Sequence, residues 1–157
     1  MASWDEVSRA APELSRAVQG VFDAHIHKVL ATVRRDGSPR VSGTEVSFRD
    51  GAVWLGSMPD ARKARDLRRD PRLALHSTPS DAEMTGGDAK IAGRAVEITD
   101  LGEFEAARSD DQPPGPFHLF RVDVDEVVLI TLAGDPPDRL VIESWHEGRG
   151  VQRVERR

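Results

Sequence analysis

The sequence predicts a mainly β protein, an antiparallel barrel with a few peripheral helices, and three observations predict it. Short apolar and β-branched runs recur along the chain, separated by turn pairs such as Asp36-Gly37 and Asp50-Gly51. Helical periodicity is confined to the N-terminus and to two crossovers. About seven short strands joined in consecutive hairpins would leave exposed sheet edges, and closing the sheet into a small barrel removes them.

The elements follow in order. Ser3 and Glu6 have the spacing of a capping box and open a short first helix. Pro12 suits the first turn of a second helix, with Leu14, Val18, Val21 and Phe22 on one face. From Lys28 the period changes. The run 28–35 reads as a strand, Asp36-Gly37 as a hairpin turn, and 39–48 as the returning strand. Residues 52–57 form a third strand, followed by a basic helix with Asp60 as its N-cap and Pro71 as its stop. Residues 72–77 and 89–99 are strands, and Gly93 in the second marks a bulge or a close backbone approach. Asp100 caps a short helix over 101–109. Residues 117–125, 126–133 and 139–145 are three further strands, with polar loops at 79–87 and 110–116.

Composition narrows the function. The 157 residues make one domain, 1–157, large enough to bury a core without staples. There is no cysteine, so disulfides and thiolate chemistry are excluded. A net charge of −5 argues against a nucleic-acid binder, whose phosphate-tracking surface needs a positive field. The polar N-terminus and the lack of a long apolar run predict a cytoplasmic chain with no membrane span. His25, His27, His76, His118 and His146 do not group as metal ligands, so no metal site is expected. No nucleophile elbow appears, and the Asp pairs at 110–111 and 135–138 read as loop caps, so hydrolysis is not expected.

The most informative stretch is VWLGSMPDARKARDLRRDPR, residues 53–72. A strand ends at Gly56-Ser57 and a helix opens with Arg62 and Lys63. Exposed N–H groups, the positive helix end and two cations are a place to hold a phosphate. A solvated, salt-bridged surface helix would give the same pattern.

Together, ATVRRDGSPRVS, VWLGS and ARKARDLRRDPRLAL resemble the pyridoxamine-phosphate-oxidase-like family of flavin- and deazaflavin-binding split β-barrels. The resemblance is clear over residues 28–78 and general beyond. It implies that Arg62 and Lys63 hold the cofactor phosphate, with Ser57 as a hydroxyl donor. Arg40, Val41, Ser42 and Thr44 would border the ring, and Leu30, Ala31 and Thr32 would lie beneath it. Small side chains there would let a planar ring approach the backbone. At Glu45 the vitamin-oxidising members carry a lysine for the substrate phosphate. A carboxylate would repel that group, so pyridoxamine phosphate oxidation is not expected. The C-terminal ESWHEGRGVQRVERR resembles the end of those oxidases, where a Trp and an Arg reach a partner's flavin; Trp145 and Arg153 are the matching positions. A frayed, charged tail is the alternative.

The resemblance therefore implies an oxidoreductase that transfers hydride to or from a small organic substrate. Its cofactor would be coenzyme F420, a deazaflavin, with FMN as the alternative, bound in a groove shared by a homodimer. The acidic tail of F420 would suit Arg65, Arg68 and Arg69. No catalytic side chain is assigned, because such chemistry resides in the cofactor. The competing reading is a non-catalytic carrier, store or sensor of flavin, deazaflavin or haem.

Overall fold

The computed structural model describes residues 1–157. Ser3 accepts from the Glu6 backbone and Glu6 returns a bond to the Ser3 backbone, so the capping box opens α1 (Trp4–Ala10). Pro12 starts α2 (Pro12–Asp23), whose Leu14, Val18 and Phe22 are buried. Trp4 and Phe22 both pack on Phe48, so the helical pair closes one region of the core.

The strands are β1 (His27–Val33), β2 (Pro39–Arg49), β3 (Ala52–Ser57), β4 (Arg72–His76), β5 (Asp88–Glu97), β6 (His118–Gly134), β7 (Pro137–His146) and β8 (Gly150–Arg156). The helix α3 (Arg62–Arg69) joins β3 to β4, and α4 (Leu101–Ala107) joins β5 to β6. All pairings are antiparallel, in the order β3-β2-β1-β4-β5-β6-β7-β8, and β3 also pairs with β6. That last pairing closes six strands into a barrel, and β7 and β8 continue the sheet outside it. Leu30, Val46, Leu55, Leu75, Ile91 and Phe120 fill the interior, joined by Ala64 and Leu67 of α3. A smaller cluster of Trp54 and Leu119 lies under Phe104 of α4.

The mainly β antiparallel barrel is the fold the sequence predicts, with four differences in detail. The segments 117–125 and 126–133 form one 17-residue strand, β6. The alternation of Val122, Val124 and Val127 with Asp123, Asp125 and Glu126 looks like an interruption in sequence but is one strand carrying a register shift opposite Ala92/Gly93. The C-terminal residues form β8, paired along β7 from Leu140–Arg156 to His146–Gly150, rather than a frayed tail. Asp60 is not the N-cap of α3: that position is Ala61, without a side-chain bond, and Asp60 adopts a left-handed φ of 57°. Finally, α4 ends at Ala107. Gly93 behaves as expected, since a Cβ there would lie 2.0 Å from the Asp123 carbonyl oxygen. No helix is long and apolar enough to cross a membrane.

Candidate functional site

Strand alternation sorts the residues of β1 and β2 between the barrel interior and its outer face. Lys28, Leu30 and Thr32 are buried inward, as are Thr44 and Val46. Val29, Ala31, Val41, Gly43 and Glu45 take the other face, and Val41 is 71% exposed.

At the end of the barrel beneath α3, six arginines (Arg35, Arg40, Arg62, Arg65, Arg68 and Arg69) surround Asp66 in a hollow of about 740 Å³ with no apolar lining residue. Asp66 organises this hollow. Its carboxylate accepts from Arg40 Nε at 2.6 Å, Thr32 Oγ1 at 2.8 Å and Arg69 Nη2 at 3.0 Å. Burial pushes the Asp66 carboxyl up, but these hydrogen bonds and the Arg40 charge together hold it below its ordinary value. Arg68 is engaged by Glu97 and Arg65 stands 3.9 Å from Asp60. Arg35 and Arg62 have no carboxylate within ion-pair distance. Six guanidinium groups thus line one hollow around a single buried carboxylate, with Glu97 and Asp60 at its edge, and the hollow carries an excess of positive charge.

The outer face is the opposite in character. Register aligns Val41, Ala31, Ala74, Ala92 and Glu126 in one row across β2, β1, β4, β5 and β6. The next row holds Gly43, Val29, His76, Lys90 and Val128. A shallow hollow of about 260 Å³ lies over these rows, seven of its ten lining residues hydrophobic. The alanines keep the face flat, and a Cβ added at Gly43 would meet nothing within 4 Å. The polar side chains lining the hollow are His76, Lys90 and Glu126. His76 Nδ1 lies 2.6 Å from the Ser77 carbonyl, so it donates there.

Lys63 joins the two regions. Its Nζ donates to the carbonyl of Gly43 at 2.9 Å, from the first turn of α3 to the outer row of β2. Burial lowers the ammonium pKa, against the charge of Glu45. Ser57, the last residue of β3 before the turn into α3, has a buried Oγ with no hydrogen-bond partner. An unpartnered buried hydroxyl is costly, and a ligand oxygen would satisfy it.

The sequence-named residues distribute as follows. Arg40 and Arg62 line the arginine hollow, with Arg65, Arg68 and Arg69. Lys63 follows Arg62 in the first turn of α3 and Ser57 ends β3, neither of them lining the hollow, and Ala31 and Val41 stand on the outer face. The side chains of Leu30, Thr32 and Thr44 face inward; Leu30 is in the core, and Thr32 is committed to Asp66. Ser42 is half-buried on the inward side of β2. Trp145 is 4% exposed in the hydrophobic core, and Arg153 is an exposed residue of β8 beside Glu155; neither lines either of these two hollows. Nor do loops 79–87 and 110–116. Arg35, Asp66, Ala74, Lys90 and Ala92 were not among the site residues expected from sequence, and His76 was weighed there only as a histidine outside any metal set. For Asp66 a signal existed: it is the one acid inside RKARDLRR and lies three residues before Arg69.

Residues 14–131 match the family model described as pyridoxamine 5'-phosphate oxidase. Solved structures share the fold at low identity. PhzG from Burkholderia lata 383, in complex with tetrahydrophenazine-1-carboxylic acid, is 15% identical, with a TM-score of 0.60 over 97% of this chain and 92% of that one. General Stress Protein 26 from Bacillus anthracis is 15% identical, with a TM-score of 0.59 over 78% of this chain and 94% of its own. A Clostridium acetobutylicum protein related to general stress protein 26 is 11% identical, with a TM-score of 0.58 over 93% and 94%. No curated protein matches the chain in sequence.

Proposed function

Because the chain belongs to the pyridoxamine 5'-phosphate oxidase family, whose fold is that of flavin-binding oxidoreductases, we propose that it is an oxidoreductase binding coenzyme F420 or FMN. The phosphate end would lie at Arg62, Lys63 and the Ser57 hydroxyl, and the ring along the outer face at Val41, Gly43 and Ala31. One observation carries the reading: a hollow lined only by arginines and Asp66 adjoins a flat face of small side chains, and Lys63 bonded to Gly43 links them. When bound, the cofactor supplies hydride transfer to or from a small organic substrate.

The residues present fit such a group. Arg62 offers a guanidinium without a carboxylate partner, and the Ser57 hydroxyl lacks one of any kind. The flat rows of alanine and glycine let a planar ring lie against the strands. Six arginines exceed the need of one phosphate, which favours F420, whose acidic tail would use Arg65, Arg68 and Arg69. Glu45, on the outer face beside Lys63, would repel a substrate phosphate, so the reaction is not pyridoxamine phosphate oxidation. The open apolar face of a single chain favours a homodimer in which a second copy encloses the ring.

Titration of the purified protein with F420 and with FMN tests the reading. Lys63→Ala is expected to weaken binding about tenfold or more, the scale of a charge-assisted contact, while Lys90→Ala has a smaller effect. Equal affinities for wild type and the Lys63 variant reject the phosphate assignment. Anaerobic reduction of the bound cofactor, followed by candidate acceptors, distinguishes an enzyme from a carrier or store.

A further inference from the structure

One polar cluster shares only Arg68 with the arginine-lined hollow. It lies where the ends of β3, β5 and β6 meet under the turn 58–61 into α3. Glu97 of β5 accepts from Arg68 Nε at 2.7 Å and Nη2 at 2.8 Å, and stands 2.8 Å from His118 Nδ1. On its other side, His118 Nε2 receives the backbone N–H of Asp60 at 3.1 Å. A backbone amide can only donate, so Nε2 must carry a lone pair. The ring proton is then on Nδ1, directed at Glu97, and His118 is neutral in this arrangement.

Apart from the Ala61 N–H donating to the Met58 carbonyl at 3.2 Å, the turn it holds has few other supports. Asp60 takes a left-handed φ of 57°, which a non-glycine residue adopts at a cost. Ala61 caps α3 without a side-chain bond. The imidazole is therefore the side-chain acceptor that ties this turn to β6, while the first-turn amides of α3 keep no side-chain cap. Immediately before the turn stands Ser57, the Cα partner of His118 across β3 and β6, with its unsatisfied hydroxyl. Immediately after it come Arg62 and Lys63.

We propose that His118 is a positioning residue for the anion site: neutral, it fixes the 58–61 turn so that Ser57, Arg62 and Lys63 converge, and protonated, it releases that turn and weakens anion binding. The proposal rests on the phosphate reading above. Every group facing the imidazole bears on its sign. Glu97 is held below the ordinary carboxylate range, chiefly by its bonds from Arg68, so it stays ionised while a histidine titrates. It would keep an imidazolium paired, which limits the field that new charge could add at the anion. Asp60 directs its carboxylate toward Arg65, and Phe120 stacks on the ring without charge. The lost acceptor at Nε2 therefore decides the outcome, because an N–H would then face an N–H.

The test uses sulfate as the probe, since its charge is constant between pH 5.5 and pH 8. Wild type is expected to bind sulfate about three- to tenfold more weakly at pH 5.5 than at pH 8, the scale of one hydrogen bond. His118→Gln, whose amide oxygen can accept from Asp60 without titrating, is expected to bind equally at both pH values. The ¹⁵N-edited amide resonance of Asp60 should titrate in wild type and stay fixed in the variant. Sulfate affinity that is constant or rises toward low pH in wild type overturns the proposal, as does the same pH dependence in His118→Gln. No sulfate binding at pH 8 rejects the phosphate reading instead, and the Asp60 resonance still decides whether His118 holds the turn; a resonance that ignores pH rejects that role.

Discussion

Five of the seven side chains around the arginine-lined hollow come from α3, an eight-residue helix, and the remaining two from the β1–β2 hairpin. The apolar hollow on the outer face draws on β1, β4, β5 and β6, from Val29 to Val128. The first is a local construction: helical spacing brings the cations together and a buried acid sets their geometry. The second exists only after the barrel closes, because its rows are rows of register. Charge concentrates where the chain is contiguous, and flat apolar surface appears where the chain is most non-local. The two regions should therefore fail in different ways.

The largest effect is expected where the local region depends on its counter-charge. Asp66→Ala leaves Arg40, Arg69 and Thr32 without their shared acceptor, and breaking a buried pair of this kind costs about 3–5 kcal/mol. Thermal unfolding should show the loss, and added sulfate should recover part of it if the hollow binds anions. The pH dependence has a definite sign. The Asp66 carboxyl is depressed in the folded chain, so its contribution is complete above the unfolded value and disappears as pH falls through the folded one. Acid unfolding of wild type below about pH 4 should therefore include this group, and Asp66→Asn should flatten that limb.

The non-local region has its own weak point. Gly93→Ala puts a Cβ 2.0 Å from the Asp123 carbonyl oxygen, at the register shift next to Ala92 and Glu126. Backbone cannot yield as a flexible side chain would, and overpacking of this kind costs about 1–3 kcal/mol. The loss should appear in denaturant unfolding, and sulfate binding at the arginine hollow should persist in the folded fraction.

How much of this was legible in the sequence follows the same division. RKARDLRR announces cations on a helix, and Gly93 announces a close approach, because both are properties of neighbouring residues. The barrel was legible from hairpin spacing and turn pairs. The closing pair of β3 with β6, which aligns Ser57 with His118, was not, since no local pattern encodes a contact across that distance. Ala31, Ala74 and Ala92 look like ordinary strand residues until register aligns them. Asp60 read as a cap because it precedes a helix. Its conformation is instead held by His118, far along the chain. Trp145 looked terminal because few residues follow it, but β8 completes the hairpin and Trp145 packs in the core.

Ala74→Arg separates fold from assembly. Ala74 lies on the outer row between Ala31 and Ala92, exposed in a single chain, so the substitution should change stability by no more than about 0.5 kcal/mol. A guanidinium in the middle of a flat apolar face should nevertheless prevent a second copy from packing there. Sedimentation at rising dilution is expected to show a dimer for wild type and a monomer for the variant. A variant that remains dimeric moves the interface away from this face.

The smallest effect on stability is expected from deleting residues 150–157. Every residue of β8 is exposed, and the strand lies two places outside the closed barrel. Its removal uncovers the edge of β7 and takes away the half-exposed Val151 and Val154, but leaves Trp145 in the core. A cut before Trp145 would be a different experiment, since losing a buried Trp costs about 3–5 kcal/mol by itself. With the shorter deletion, the melting temperature should change little, and F420 or FMN titration then reads the role of the β8 residues, Arg153 among them. Within one chain Arg153 is an exposed partner of Glu155 and borders neither hollow. Unchanged affinity would make β8 an edge cover and nothing more. A several-fold loss with the fold intact would mean that Arg153 reaches the cofactor of a partner subunit, and Arg153→Gln in the full-length chain should then reproduce most of that loss.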